Sequence, residues 1–547
     1  MTPIMEHAIL PAYVAGAASA AFVVYLIILA AYRLTLHPLA GYPGPFIAKI
    51  TPWRDVYHAW LGDKHLDFYE LHQRYGTFVR YGPNTLSIND PAALKAIYGH
   101  RANVRKSDFY LAFPAVPGAF STHTALDRHA HARKRRVMSH AFSDAALKGV
   151  EDYVLGYVRQ FVGKLAGAGG GGGGGGGDGN GEEWSPVRDV GEWSTYLGFD
   201  VMGDLAFGKS FNMLEGDVPE NREAAFLLTQ AAKRHNITGP MPWLHQSGLD
   251  RILFRKINQD RDRYLAFSRK QVGQRTQSAD LWKSDRKDFF YYLLNSKDPE
   301  TGEGFGKQEL WGESNTLIIA GSDTTSTTLT ATLFYLLHNP PALARLTAEI
   351  RTAFPSSSPE TIRSGPALNA CTYLRACIDE ALRLSPPVGA ILPRVTLAGG
   401  LTITVDDGHQ HHIPAGVGVG CPIYALHHHP AYVPDDAFTY KPERWTPEAN
   451  EAGGEEGVRR LHDVFNPFSV GPRGCIGKPM AYLELSLALA RLVWACDMRL
   501  APGEAGRVGA GAKGLGRGRE REGEFQLEDI FVSNKVGPMA QFRARRG

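Results

Sequence analysis

Cysteine is scarce: there are five in 547 residues, Cys371, Cys377, Cys421, Cys475 and Cys496, with no repeated spacing. So odd and sparse a set argues against an extracellular disulfide scaffold and for a reducing compartment. An excess of charge of one sign is also missing, since 59 Lys and Arg stand against 56 Asp and Glu for a formal net charge of +3. Nucleic acid is therefore not an expected partner. Low hydrophobicity is absent too: 44% of residues are hydrophobic and 21% charged, which excludes global disorder. There is no P-loop, no G-x-S-x-G elbow and no dinucleotide fingerprint with its downstream acid. The chain carries no nicotinamide or flavin domain, and any electrons it uses come from a partner. Nothing repeats internally at a period of roughly 20 to 50 residues.

What is present begins with 25 consecutive uncharged residues from Ala8 to Tyr32. At about 1.5 Å per helical residue they exceed a hydrocarbon core of roughly 30 Å, so one membrane span is expected. A cleaved signal peptide is the alternative, but Glu6 precedes the stretch, no Lys or Arg does, and the stretch is too long. Arg33, Lys49 and Arg54 follow it, which places the rest of the chain on the cytoplasmic side, as on the endoplasmic reticulum. The expected organisation is an anchor over 1–34, a stiff, extended proline-rich hinge over 35–50 with Pro38, Pro43 and Pro45, and one catalytic domain over 51–547.

Two stretches read as mobile surface loops: 167–181, which holds nine glycines from Gly169 to Gly177, and 502–523, rich in Gly, Arg and Glu. A domain boundary at the glycine run is conceivable, but helical patterns on both sides favour an insertion between two helices. Long helical patterns run over Leu147–Leu165, Asp189–Phe207, Asp250–Gln274, Leu310–Leu337, Ala370–Leu384 and Met480–Cys496. Strand signals are short: FVRYG, LSIND, LTITV, HHIPAGVGVG, IFVSN and AQFRA. The fold class is mainly α with small β-sheets.

Cys475 lies in a glycine-punctuated loop that opens into the apolar helix pattern from Met480. Such a position favours a thiolate, because unpaired N–H groups and the helix dipole lower a thiol pKa. Gly471, Gly474 and Gly477 let the backbone fold tightly and a flat ligand approach, and Phe468 can shield one side. A lone cysteine is more often structural, but here the whole string matters. Phe468, Gly471, Arg473, Cys475 and Gly477 match F-x-x-G-x-R-x-C-x-G, and the chain resembles the cytochrome P-450 superfamily at its haem-binding signature. The resemblance covers roughly residues 38–545. It implies a single triangular helical prism around a buried haem b, with Cys475 as axial thiolate ligand of the iron.

The helix pattern from Leu317 is interrupted by Gly321 and a Ser/Thr/Asp cluster whose hydroxyls compete for backbone carbonyls and locally widen the helix. Ala320, Gly321, Asp323, Thr324 and Thr325 match the family's A-G-x-D-T-T, which faces the haem. Cleaving bound dioxygen requires protons, so Thr324 is the expected proton relay and Asp323 its acid partner. Without the cysteine signature, the cluster would read as a kink.

Glu380 and Arg383 stand three apart on one helical face. The resemblance adds Arg444 from P-E-R-W, a structural Glu-Arg-Arg cluster whose loss prevents haem retention. For the haem propionates it implies Arg473, Arg394 and Arg135, with His131 at the position where the family often has Trp. Without it, the basic run around Arg135 reads as a solvated face. His409, His411 and His412, and His427, His428 and His429, do not have the spacing or acid of a zinc site.

Segments that line the pocket in relatives are apolar here: Phe109, Tyr110 and Phe113, then Ile318, Ile319 and Ala320, then Val388, Ala390 and Ile391. A lipophilic small molecule is implied, and for a charged one Lys106 is the sole candidate contact. The likeness is closest to membrane-bound fungal members that decorate terpenoids, polyketides, alkaloids or aromatics. The expected activity is a monooxygenase that takes NADPH-derived electrons from a flavoprotein reductase and uses dioxygen to hydroxylate or epoxidise its substrate. Desaturation, coupling or rearrangement on the same fold is one alternative; a non-catalytic membrane haem protein is the other.

Overall fold

The computed structural model describes residues 3–114, 118–167, 184–216, 219–277, 286–356, 358–405, 408–433, 436–450 and 453–545. The glycine run expected to be a loop falls outside them, apart from Gly167. The chain opens with a helix over Pro3–Thr35, and Tyr13–Thr35 within it is long and apolar enough to cross a membrane. Buried Arg80 ties the end of this helix to the body by donating to the carbonyls of Arg33 (2.8 Å) and Leu39 (3.3 Å). The connector is not extended. It coils through turns in which Ala40 donates to His37 and Tyr42 to Leu39, buries Leu39, and enters a short helix at Phe46–Ile50. Proline rigidity is compatible with turns as well as with extension.

The expected helices form, with bounds set by capping. Ser143 caps Asp144–Leu165 by accepting from the Ala146 N–H. Asp189 caps Val190–Phe207, which stops at Gly208 in the left-handed region with φ +68°. The pattern from Asp250 splits at Phe254 into Asp250–Leu253 and Arg255–Gln277. Several helices were not among the patterns read from the sequence, the longest being Pro219–Thr238, where polar residues blur the apolar stripe, and Pro340–Ala353, started by Pro340.

The helix Lys307–His338 crosses the core and packs most extensively on Val190–Phe207. The two backbones approach closely at glycine: a Cβ on Gly198 would stand 2.8 Å from the Ser322 carbonyl oxygen, and Ser322 Oγ donates to the Gly198 carbonyl at 3.1 Å. Gly321 likewise makes room for Met202, whose sulfur lies 2.6 Å from where its Cβ would be. Helices Thr372–Leu384 and Lys478–Ala495 complete this core.

The sheets are small. β1 (Phe78–Gly82), β2 (Thr85–Ile88), β3 (Val104–Lys106), β5 (Arg394–Thr396) and β8 (Gly418–Gly420) form one sheet in the order β1-β2-β8-β5-β3, with β4 (Arg188–Asp189), β6 (Leu401–Thr404) and β7 (Gln410–Ile413) elsewhere. β6 pairs with β7, and β4 joins β12 (Met539–Ala544) and β9 (Cys496–Leu500). IFVSN is not one strand but the turn of a hairpin between β10 (Leu527–Ile530) and β11 (Val532–Lys535), with Phe531 at its tip at φ +86°. The segment over 502–523 is irregular, as its glycines require, yet held: Arg519 donates to the carbonyls of Leu527 (3.0 Å) and Gly62 (3.2 Å), and Arg521 lies 3.7 Å over the Phe438 ring.

Candidate haem-thiolate site

The loop before the helix Lys478–Ala495 closes on itself where the Cys475 N–H donates to the Phe468 carbonyl at 2.8 Å. Gly471 has φ +69°, and a Cβ there would stand 2.1 Å from the Tyr98 carbonyl oxygen, so only glycine fits. Phe468 packs on Tyr482 at 5.2 Å between ring centroids, and Lys478 stands 5.7 Å over its ring. Of the five cysteines only Cys475 has appreciable accessible surface. Its sulfur nonetheless lies deep in the protein, so the surface it offers faces an internal space. Burial pushes its thiol above the ordinary value; the N–H groups of Gly477 and Lys478 and the charges of Arg135 and Lys478 pull the other way without overcoming it. The expected helix-terminus effect is therefore present but outweighed by desolvation.

Cations converge on this loop from four segments. Arg135, from the helix Arg128–Ser139, donates to the Gly474 carbonyl at 2.6 Å. Arg473 donates to the carbonyls of Leu126 at 3.2 Å and Asp127 at 3.3 Å. Lys106 on β3 pairs in register with Arg394 on β5. Lys106 sits 4.0 Å over the Tyr110 ring and donates to the His123 carbonyl; Arg394 sits 4.9 Å over Tyr98. His131 is buried beside them, and burial followed by the charges of Arg473, Lys106, Arg135 and Arg394 holds its pKa down to about 3. Burial and Arg394 likewise bring Arg473 down to about 10. Burial and the same arginines lower Lys106 and, with Lys106, His123. Among the described residues, no salt bridge joins Lys106, Arg135, Arg394 or Arg473 to a carboxylate. Uncompensated buried cations of this kind are costly unless an anion joins them. A thiol open to an internal space, beside a cluster that lacks its anions, fits a haem with its two propionates. Lys106 thus belongs to this cluster rather than to an apolar pocket wall. Lys106 and His123 are members that the motif-based reading missed; the pairing of β3 with β5 brings Lys106 in, and no local pattern announces it.

On the central helix, Ala320 is open and Thr324 half-buried. The hydroxyls do back-bond to carbonyls, Thr324 to Ala320 at 2.6 Å, Thr328 to Thr324 at 2.9 Å and Thr330 to Ser326 at 2.6 Å. The helix nevertheless runs unbroken from Lys307 to His338 without the expected widening, because each hydroxyl accommodates to the existing ladder. Burial pushes Asp323 up to about 6, against the opposing charge of Lys535.

Glu380, Arg383 and Arg444 meet as the sequence suggested. Arg383 lies 2.9 Å and Arg444 2.8 Å from Glu380 Oε1, and the Trp445 indole N–H donates to Oε2 at 2.9 Å. Burial alone would raise the Glu380 carboxyl, but the two arginines hold it down to about 2. His427 has a role that the sequence did not reveal: it donates from Nδ1 to the Arg383 carbonyl (3.1 Å) and accepts at Nε2 from the Asn466 N–H (3.0 Å). It thereby links the charge cluster to the start of the cysteine loop. Among the described residues, no group of His, Cys, Asp and Glu could hold a metal ion.

A cleft of about 500 Å³ has Phe68, Phe109, Val388, Ala390, Ile391 and Phe531 among its walls. It includes neither Cys475 nor Thr324. An aromatic cluster connects the two regions. Phe109 and Phe531 belong to the cleft, Tyr110 and His123 stand at the cationic cluster, and Phe113 packs between them, edge-on to Phe531 at 4.9 Å. Ile318 is instead buried in the helical core.

Comparison with known proteins agrees with this geometry. The family model described as Cytochrome P450 matches residues 53–509. The chain is 40% identical over 530 residues to cytochrome P450 monooxygenase apf7 of Gibberella fujikuroi, covering 96% of this chain and 97% of that protein. It is 39% identical to cytochrome P450 monooxygenase AKT7 of Alternaria alternata, covering 94% of each. To cytochrome P450 monooxygenase poxM of Penicillium oxalicum it is 37% identical, covering 95% of this chain and 93% of the other. With its cysteine loop, its cationic cluster and these near full-length likenesses to fungal monooxygenases, the chain belongs to the cytochrome P450 family of haem-thiolate oxidoreductases.

Proposed function

We propose that this protein is a membrane-anchored monooxygenase of fungal secondary metabolism that hydroxylates or epoxidises a lipophilic small molecule. Electrons from NADPH reach it through a flavoprotein reductase. The observation that carries this reading is the meeting of an internally open Cys475 with four cations, Lys106 and Arg394 buried and Arg135 and Arg473 half-buried, that form no salt bridge with a carboxylate among the described residues. Haem b, when bound, supplies the redox centre at which dioxygen is reduced and one oxygen atom is transferred.

In this reading Cys475 donates its thiolate to the iron, and Phe468, Gly471 and Gly477 shape the loop so that the sulfur and nothing bulkier reaches it. Arg135, Arg394 and Arg473, with His131 and the added Lys106, bind the propionates and so offset one another's repulsion. Ala320, which is open, would leave room beside the haem for dioxygen, and Gly321 lets this helix pack closely on Met202 of the neighbouring helix. Thr324 positions a proton at its hydroxyl and Asp323, with a carboxyl that titrates near neutrality, replaces it. Glu380, Arg383 and Arg444 hold the segment before the loop in place. The cleft, whose apolar walls are joined by Asp55, Lys64, Asp108 and Asp529, selects the substrate by burial and shape and offers polar contacts at its charged side chains. Arg33, Lys49 and Arg54, after the apolar helix, favour a body facing the cytosol from the endoplasmic reticulum membrane.

The test is a spectral screen of lipophilic compounds for a shift of the Soret band, with product masses for every hit. A product heavier by one oxygen supports the reading. Products formed only by loss of hydrogen or by coupling replace it with desaturation or coupling, and binding without turnover replaces it with a non-catalytic haem protein.

A further inference from the structure

The C-terminal hairpin β10–β11 is fastened to the central helix beside Asp323. Thr327 Oγ1 donates to the Ser533 carbonyl at 3.1 Å, and the Lys535 ammonium donates to Ser326 Oγ at 2.8 Å. Ser326 Oγ in turn donates to the main-chain carbonyl of Asp323 at 3.1 Å. The ammonium is thus held within one helical turn of Asp323 on the central helix, and its charge acts on the Asp323 carboxyl. The charged groups acting on Lys535 are Asp323, from the central helix, and Asp189, from β4. Those facing Asp323 are Lys535 and the Tyr264 phenol of the helix Arg255–Gln277. Asp189 is half-buried at the helix start Val190, where its Oδ1 accepts from the N–H groups of Glu192 (3.1 Å) and Gly537 (3.2 Å). Lys535 therefore stands between an inner carboxyl and an outer one. Gly191 leaves space for its stem: a Cβ there would be 3.5 Å from Lys535 Cγ.

We propose that Lys535 is a positioning residue for Asp323: its ammonium, anchored by Ser326, stabilises the Asp323 carboxylate and so sets how readily that group gives and regains a proton. The inference rests on the assignment of Asp323 and Thr324 to proton transfer. Burial pushes Lys535 down to about 8 and Asp323 up to about 6, so the two groups are far closer in proton affinity than an ordinary lysine and aspartate.

The test uses the haem-loaded enzyme with its reductase and NADPH, without organic substrate, and follows the fraction of NADPH electrons recovered as hydrogen peroxide from about pH 5 to about pH 9. Lys535→Met removes the charge that holds the Asp323 carboxyl down. It is expected to move the inflection of that profile to higher pH and to change the peroxide fraction several-fold. Lys535→Arg is expected to restore the wild-type profile, and Ser326→Ala to shift it in the same direction as Lys535→Met. Ser326→Ala decides the matter if Lys535→Met fails to bind haem. Superimposable profiles for the wild type and these variants overturn the proposal, provided that Thr324→Ala and Asp323→Asn alter the peroxide fraction. If those two leave it unchanged as well, the proton-transfer assignment itself fails.

Discussion

Arg135 reaches from its helix to the Gly474 carbonyl, 2.6 Å away, and so grips the peptide immediately before Cys475. One guanidinium thus fixes the cysteine loop and adds to the cluster of unpaired cations beside it. Arg135→Ala removes both effects. We expect the variant to fold, to take up haem weakly, and to lose it to apomyoglobin at least about tenfold faster than wild type, the equivalent of about 1.4 kcal/mol. An unchanged transfer rate places the propionates elsewhere.

Arg394→Ala or Lys106→Ala relieves cation repulsion in the protein without haem while removing an anion contact in the protein with it. The expected signature is opposite signs: a melting temperature equal to or above wild type without haem, and a lower one with it. A loss of stability of the same size in both states would mean that these residues only pack.

Glu380→Ala strands Arg383 and Arg444, of which Arg383 is fully buried. Breaking a buried ion pair from one side typically costs about 3–5 kcal/mol, so little haem-loaded protein should accumulate. The pH dependence follows from the Glu380 carboxyl, held down to about 2 in the folded chain. Its stabilising contribution is complete above the ordinary carboxylate range and is lost as pH falls through that range toward about 2. Acid unfolding of wild type should carry this term and that of Glu380→Gln should not, as circular dichroism against pH can show.

Gly471→Ala places a methyl group against the Tyr98 carbonyl and forces a left-handed conformation on a residue with a side chain. Strain of that kind costs roughly 1–3 kcal/mol, and the loop must shift. A broadened or blue-shifted Soret band with normal far-ultraviolet dichroism is expected; an unaltered spectrum would mean that the loop accommodates the change.

Deletion of residues 1–34 should release the protein from membranes with its haem retained, since the body holds Cys475 and the whole cationic cluster. Persistent tight attachment on flotation would locate the membrane contact on the body instead.

Much of this arrangement was legible in the sequence, for identifiable reasons. The cysteine loop is one contiguous motif, Glu380 and Arg383 stand three apart on one helical face, and the long helices show periodicity sustained over many turns, so these were readable from the chain, whereas Arg444, 64 residues from Glu380, was supplied by the family resemblance. Lys106, His123 and Lys535 were not, because each acquires its role from elements elsewhere in the chain: Lys106 from β5, His123 from Lys106 on β3 and from Arg394 and Arg473, and Lys535 from the central helix. His427 was set aside as a poor zinc ligand, and its actual work, bridging Arg383 and Asn466, depends on two long-range hydrogen bonds that no local pattern encodes. The helix dipole argument for Cys475 identified the right N–H donors but omitted the larger desolvation that comes with depth. Phe531 read as part of a strand because a tight hairpin turn at a non-glycine residue leaves no turn signal.

The most direct test of the account is the carbon monoxide difference spectrum of the reduced, haem-loaded protein, recorded for the wild type and for Cys475→Ala. A strongly red-shifted Soret band in the wild type and its loss in the variant are predicted. A red-shifted band that survives the substitution, or a wild-type band at the position typical of imidazole ligation, contradicts the assignment of Cys475 as the iron's ligand.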